Sequence, residues 1–170
     1  QITIDPKGDG SNALHLFSNV PETDIPDPDD PNVIYFGPGI HEVEQIELTK
    51  GQTLYLAGGA ILRPLPLQVI PESIKVRLGE TTEKTVPGVK TWADDVTVRG
   101  RGIISGVRGL DAQKRFVCLD ATGVSNMIVR DVIITDAYFW AVHISNSSDL
   151  LIDNLKILGY YPNSDATVIS

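Results

Sequence analysis

Self-similarity in the second half of the chain constrains its fold more than any other feature. The segment Asn126-Met127-Ile128-Val129-Arg130-Asp131-Val132-Ile133-Ile134 aligns without a gap, at an offset of 23, with Asp149-Leu150-Leu151-Ile152-Asp153-Asn154-Leu155-Lys156-Ile157. Polar or turn residues hold the first, fifth and sixth places, and apolar residues fill nearly all the others. A second register interleaves with the first: Phe116–Asp120 aligns with Ala141–Ser145, which aligns with Ala166–Ser170, both at steps of 25. Earlier, Gln52–Ile61 echoes Asp94–Ile103 at an offset of 42. A repeat of about 20–25 residues carrying two or three short strands is the signature of a stacked β solenoid, because one coil alone cannot bury its inward face. A β-sandwich also has many short strands, but it gives no reason for two successive 25-residue steps. The expected inward residues are Val117, Leu119, Ile128, Val132, Ile134, Val142, Ile144, Leu151, Leu155, Ile157 and Val168.

Composition narrows the functional classes. The chain is 170 residues, 42% hydrophobic and 21% charged, which suits a single folded domain and excludes a disordered one. No apolar run approaches the roughly 18–20 residues of a membrane-spanning helix. The net charge of −8 opposes non-specific nucleic-acid binding. The single cysteine, Cys118, excludes an intramolecular disulfide framework and a Cys-rich zinc site, and it aligns with buried positions as an inert core residue. The chain starts at Gln1 without a signal peptide, which fits a trimmed chain or a mature secreted protein; a secreted or periplasmic location is expected. The one glycosylation sequon, Asn146-Ser147-Ser148, is of a kind that is common by chance.

The expected organisation is a single domain over 1–170. An N-terminal strand and acidic loop occupy 1–32, first coils 33–62, an excursion 63–93 and regular coils 94–170. The excursion holds Pro64, Pro66, Pro71 and Pro87 and breaks the period. In the acidic, proline-rich stretch from Pro21 to Pro31, Asp24, Asp27, Asp29 and Asp30 could bind Ca²⁺, but their spacing matches no EF-hand pattern, and a solvated loop is the better reading.

The 25-residue register stacks Arg115, Trp140 and Asp165 in one column. Such a column makes a sugar-binding groove, with Trp140 stacking on a pyranose, Arg115 binding carboxylate or hydroxyl groups and Asp165 acting as acid or base; ordinary corner residues of the coils are the plainer reading. His143 reads as a satisfied structural histidine, and His15 and His41 have no partners at metal spacing. The turn aromatics Tyr138, Phe139, Tyr160 and Tyr161 either line sugar subsites or cover the end of the fold. Arg99 and Arg101 flank a glycine turn where exposure is expected, and Asp94-Asp95 reads as a turn cap.

Several segments resemble polygalacturonase-like glycoside hydrolases. These are Tyr35-Phe36-Gly37-Pro38-Gly39-Ile40-His41, Leu54-Tyr55-Leu56-Ala57-Gly58-Gly59-Ala60, Val98-Arg99-Gly100-Arg101-Gly102-Ile103-Ile104-Ser105-Gly106, and Tyr161-Pro162-Asn163-Ser164-Asp165-Ala166, which is similar to the family's Asn-Thr/Ser-Asp-Gly motif. The order of these segments covers about Val33 to Ser170. The resemblance implies an all-β, right-handed single-stranded parallel β-helix (a solenoid), incomplete at its C-terminal end, that hydrolyses a pectin-type polysaccharide with inversion and needs no cofactor or metal. It assigns Asp165 as a catalytic carboxylate, with Asn163 beside it; Trp140 and Arg115 from the column, and Tyr161 from the turn aromatics, are expected toward substrate. Inversion needs an acid and a base about 6.5–9.5 Å apart, and one aspartate cannot be both. The chain departs from the family at Ala166, where glycine is usual, and it ends before the later Asp-Asp, Gly-His-Gly and Arg-x-Lys motifs. The expectation is therefore the N-terminal part of such an enzyme, completed by a C-terminal remainder and inactive alone. The alternatives are a related hydrolase of neutral glucans, dextranase-like, and a non-catalytic carbohydrate-binding or adhesion module. A polysaccharide lyase is disfavoured, because the aligned strands carry no acidic Ca²⁺ cluster.

Overall fold

The computed structural model describes residues 1–8, 13–64, 86–106, 116–159 and 165–169. The described residues form seventeen strands and no helix. Strands β1 (Ile2–Ile4) and β2 (Leu14–Leu16) pair antiparallel with each other. The remaining fifteen form three parallel five-stranded sheets. The first sheet holds β3 (Val33–Phe36), β6 (Thr53–Leu56), β9 (Thr97–Gly100), β12 (Ser125–Arg130) and β15 (Ser148–Asp153). The second holds β4 (Gly39–Val43), β7 (Ala60–Pro64), β10 (Ile103–Ser105), β13 (Ile133–Thr135) and β16 (Lys156–Leu158). The third holds β5 (Ile46–Leu48), β8 (Val86–Thr91), β11 (Phe116–Thr122), β14 (Val142–Ser145) and β17 (Thr167–Ile169). Each sheet takes every third strand.

The period-2 alternation of a strand puts one set of side chains inward, and the parallel register lines those sets into apolar columns. In the first sheet the column is Ile34, Leu54, Val98, Val129 and Ile152. In the second, Leu62, Ile104, Ile134 and Ile157 align. In the third, Ile46, Val89, Leu119 and Val142 align. The inner members of all three columns are fully buried in one core cluster, and each such side chain contributes about 1.5–3 kcal/mol.

The fold class expected from the repeats is corrected. The structure is all-β, as expected, but its strands form three stacked parallel five-stranded sheets and a separate antiparallel pair rather than the expected right-handed single-stranded parallel β-helix. The overturning finding is the strand register. Val33 pairs with Thr53, 20 residues on, Thr53 with Thr97, 44 on, Val98 with Val129, 31 on, and Leu119 with Val142, 23 on. The offset of 42 holds at Ile61–Ile103, but the pairing of Leu54 with Val98 is two residues beyond it. Both sides of the expected 63–93 excursion also belong to sheets: Arg63 and Pro64 lie in β7, and Val86–Thr91 form β8.

The offset of 23 in β12 and β15 holds throughout, and its polar places have a backbone cause. Asn126, Asp131, Asp149 and Asn154 all adopt positive φ, as do Asp95, Asp136 and Asn146. Asparagine and aspartate tolerate this left-handed region better than other residues with a Cβ. They also bond along the stack: Asn126 Nδ2 donates to Asp95 Oδ1 at 2.8 Å, and Asn154 Nδ2 to Asp131 Oδ1 at 2.6 Å. These turns reset the alternation. Met127, Val129, Leu150 and Ile152 therefore face the core, while the expected inward Leu151 is exposed and Ile128 lies outside the core cluster.

At Gly100, φ is 123° and an added Cβ would stand 2.1 Å from the Leu56 carbonyl oxygen, which accepts from both Arg101 N and Gly102 N. We predict that Gly100→Ala costs about 3 kcal/mol or more, read as a lowered urea midpoint with the slope unchanged.

Candidate functional site

The outer face of the third sheet gathers the titratable groups. Between the inward pairs Ile46/Leu48, Val89/Thr91, Leu119/Ala121 and Val142/Ile144, the intervening residues point the other way. The register sets these residues in one row, Glu47, Lys90, Asp120, His143 and then Val168, on strands about 4.8 Å apart. Lys90 Nζ lies 3.0 Å from Glu47 Oε2 and 4.2 Å from the centre of the Trp92 ring. Although on the outer face, Lys90 is only 3% exposed. One strand further, His143 Nδ1 stands 2.7 Å from Asp120 Oδ1, both side chains keeping about a fifth of their surface exposed. An ionised carboxylate accepts the Nδ1 proton, so the neutral imidazole carries its lone pair on Nε2. Trp140 stacks on His143 at 4.8 Å and on Phe139 at 4.2 Å, both at 29°.

The structure brings together two of the expected site residues. Asp165 is exposed, its carbonyl oxygen accepts from Ala141 N at 3.0 Å, and the pairing of Val142 with Thr167 sets it alongside Trp140, as the 25-residue step predicts. Arg115, Tyr161 and Asn163 lie outside the described residues. The step below is corrected. Leu119 pairs with Val142, 23 residues on, so Trp140 stands alongside Val117 rather than Arg115. A slip of two residues preserves inward and outward faces, so apolar patterning alone does not distinguish the two registers; the bond from Asp120 to His143 does. Asp120, Lys90, Glu47 and Trp92 were not among the expected site residues. The signal for Asp120 was present, since it lies inside the aligned repeat and the 23-residue offset found elsewhere pairs it with His143. Asp120 and Asp165 are two strands and three residues apart, roughly 14 Å between Cα atoms. Cys118 is buried as expected, and that burial pushes its thiol well above the usual range.

The first sheet carries a different outer row: Tyr35, Tyr55, Arg99, Arg130 and Asp153. Residues 19–24 lie along it. Tyr55 donates its hydroxyl to Glu22 at 2.9 Å, and burial, then the Glu22 carboxylate, raises the phenol above its usual range. Asp24 Oδ2 accepts from Arg99 Nη1 at 2.7 Å and from Arg130 Nη2 at 2.5 Å. Arg101 Nη2 donates to the Val20 carbonyl at 2.7 Å, and Asn154 Nδ2 to Asn19 Oδ1 at 3.2 Å. Arg99 and Arg101 are thus half-buried and paired, not exposed as expected. The acidic stretch is an exposed loop, as expected, and it also supplies a clamp and turns: Asp27 accepts from Asp29 N at 3.0 Å and Asp30 from Asn32 N at 2.8 Å. Among the described residues no group of His, Cys, Asp or Glu could hold a metal ion. Asp94 and Asp95 serve the next turn, as expected, accepting from Ser125 N and Asn126 Nδ2, both at 2.8 Å.

No protein-family model and no curated protein matches the chain. Its fold is similar to that of a crystal structure from Parabacteroides merdae described as a "putative glycosyl hydrolase", with a TM-score of 0.61 and 15% sequence identity. The match covers 81% of this chain and 63% of that one, so the chain spans less than two thirds of its structural neighbour. At this identity the likeness is one of fold, and membership of the polygalacturonase family is not shown.

The clamp has a pH signature. Desolvation pushes the Asp24 carboxyl up, but the Arg99 and Arg130 guanidiniums outweigh it and hold the group below the usual carboxylate range. A lowered folded-state value means stability that is present above the unfolded value, about 4, and lost as pH falls through the folded one. With Asp24 57% exposed, wild type should exceed Asp24→Asn by no more than about 1 kcal/mol. That margin should be full at pH 6 and should shrink below about pH 4 in thermal melts.

Proposed function

We propose that the chain is part of a polysaccharide-degrading glycoside hydrolase whose cleft lies on the outer face of the third sheet, around Asp165, Trp140 and His143. The observation that carries this reading is the placement of the exposed Asp165 alongside Trp140 and its ring stack, in a fold shared with a protein described as a glycosyl hydrolase. Asp165 serves as one of the two carboxylates of inverting hydrolysis, either protonating the leaving oxygen or activating the water. Asp120 does not serve as the other. Its carboxylate is engaged with the imidazole of His143. In this reading the second carboxylate comes from the Asp-Asp pair that the family resemblance places after Asp165, in a C-terminal remainder. A polymeric substrate agrees with a secreted or periplasmic location.

The resemblance favours a pectin-type substrate. A neutral glucan is the second reading, and the pairing of the cations supports it: Lys90 is held by Glu47, and Arg99 and Arg130 by Asp24 on another sheet. Release of reducing ends from polygalacturonate and from dextran by the intact protein of its natural producer tests both. The expected result is cleavage of one polymer, reduced about 10²–10⁴-fold by Asp165→Asn, with little or no turnover by the 170-residue chain alone. Cleavage that survives Asp165→Asn would remove Asp165 from the chemistry, and no cleavage of either polymer would count against the hydrolase reading.

A further inference from the structure

We infer that His143 is a substrate-facing group, which presents Nε2 as an acceptor to a hydroxyl of the bound sugar, and that Asp120 and Trp140 are its positioning residues. The inference rests on the carbohydrate reading of this cleft and adds to it a residue that the sequence marks as merely structural. A histidine bridging two strands needs one polar contact to hold it. His143 has that contact, 2.7 Å from Nδ1 to Asp120, yet keeps about a fifth of its side chain exposed on the outer face. Trp140 lies against the ring at 4.8 Å and is itself backed by Phe139. The hydrogen bond and the stack together restrain the imidazole. In the neutral imidazole, the tautomer with its proton on Nδ1 satisfies the carboxylate and leaves Nε2 as the acceptor. A preorganised acceptor beside Trp140 and Asp165 suits a sugar hydroxyl better than a carboxylate, which donates nothing to a lone pair.

Asparagine and glutamine separate the two roles, because the asparagine amide reaches about where Nδ1 lies and the glutamine amide about where Nε2 lies. Binding of dextran and of polygalacturonate to the intact protein is measured by affinity electrophoresis for wild type, His143→Gln, His143→Asn and Asp120→Asn, with circular dichroism confirming that each is folded. The inference expects His143→Asn to weaken binding of the polymer that wild type retains by about tenfold, and His143→Gln by no more than about threefold. Asp120→Asn, which loosens the ring without removing it, should weaken binding by about threefold to tenfold. Binding at the wild-type level in His143→Asn would overturn the inference and leave the carbohydrate reading intact. So would rescue by asparagine and not by glutamine. Failure of wild type to bind either polymer would overturn the carbohydrate reading, and this inference with it.

Discussion

The parallel hydrogen-bond register between every third strand is the constraint on which the rest of the molecule depends. A parallel strand cannot be joined to its partner by a tight turn. Here the connection between partners is filled by the two strands that belong to the other sheets. One arrangement thus closes the backbone ladders and delivers an apolar column to a shared core from each of three directions. The close contacts at Gly100 and Gly102 belong to the same requirement. The chain after β9 turns tightly over the Leu56 carbonyl, and a side chain at either position would stand in the backbone of the layer below.

The same register dictates the chemistry of the outer faces. Stacking at about 4.8 Å puts like beside like whenever successive layers carry the same residue type, and neighbouring equal charges repel. The third sheet avoids this by alternation, since Glu47 meets Lys90 and Asp120 meets His143. The first sheet does not. Arg99 and Arg130 are adjacent in register, and the conflict is settled by Asp24, a carboxylate from 75 residues upstream of Arg99 that accepts from both. Asp24 is therefore the counter-charge of the first sheet, and Glu22 is bound to Tyr55 beside it.

What was legible in the sequence follows from which signals are local. The strand-rich all-β character and the 23-residue pairing of β12 with β15 could be read because a left-handed Asn or Asp marks each turn. The inward set in those strands could not. Met127-Ile128-Val129 and Leu150-Leu151-Ile152 are unbroken apolar runs, which carry no parity. The parity is fixed instead by Asn126 and Asp149 immediately before them. The pairing of β11 with β14 was missed by two residues, an error that leaves every apolar residue on the correct face and displaces only the polar partners. The candidate site is made of those polar partners, so the fold was more legible than the site. Trp140 beside Asp165 was readable from the step of 25; Asp120 beside His143 required the true register.

The division of labour between the two outer faces locates the chemistry. On the first sheet the polar row is held by residues 19–24 through six hydrogen bonds, two from Arg99 and one each from Tyr55, Arg101, Arg130 and Asn154. Its guanidiniums neutralise a carboxylate of the chain itself. On the third sheet the same density of polar groups is internally paired, and no described segment clamps it in that way. Glu47 and Lys90 fix one end of the row, and the Asp120 bond together with the Trp140 stack fixes the imidazole at the other. A polar group held by packing and by a hydrogen bond behind it, with a free valence in front, needs little reorganisation when a ligand arrives. Asp165, exposed and attached to the same stack through the bond from Ala141 N to its carbonyl, stands at the border of that prearranged surface. On the third sheet Asp165 thus offers a carboxylate open to solvent beside a side chain already aimed.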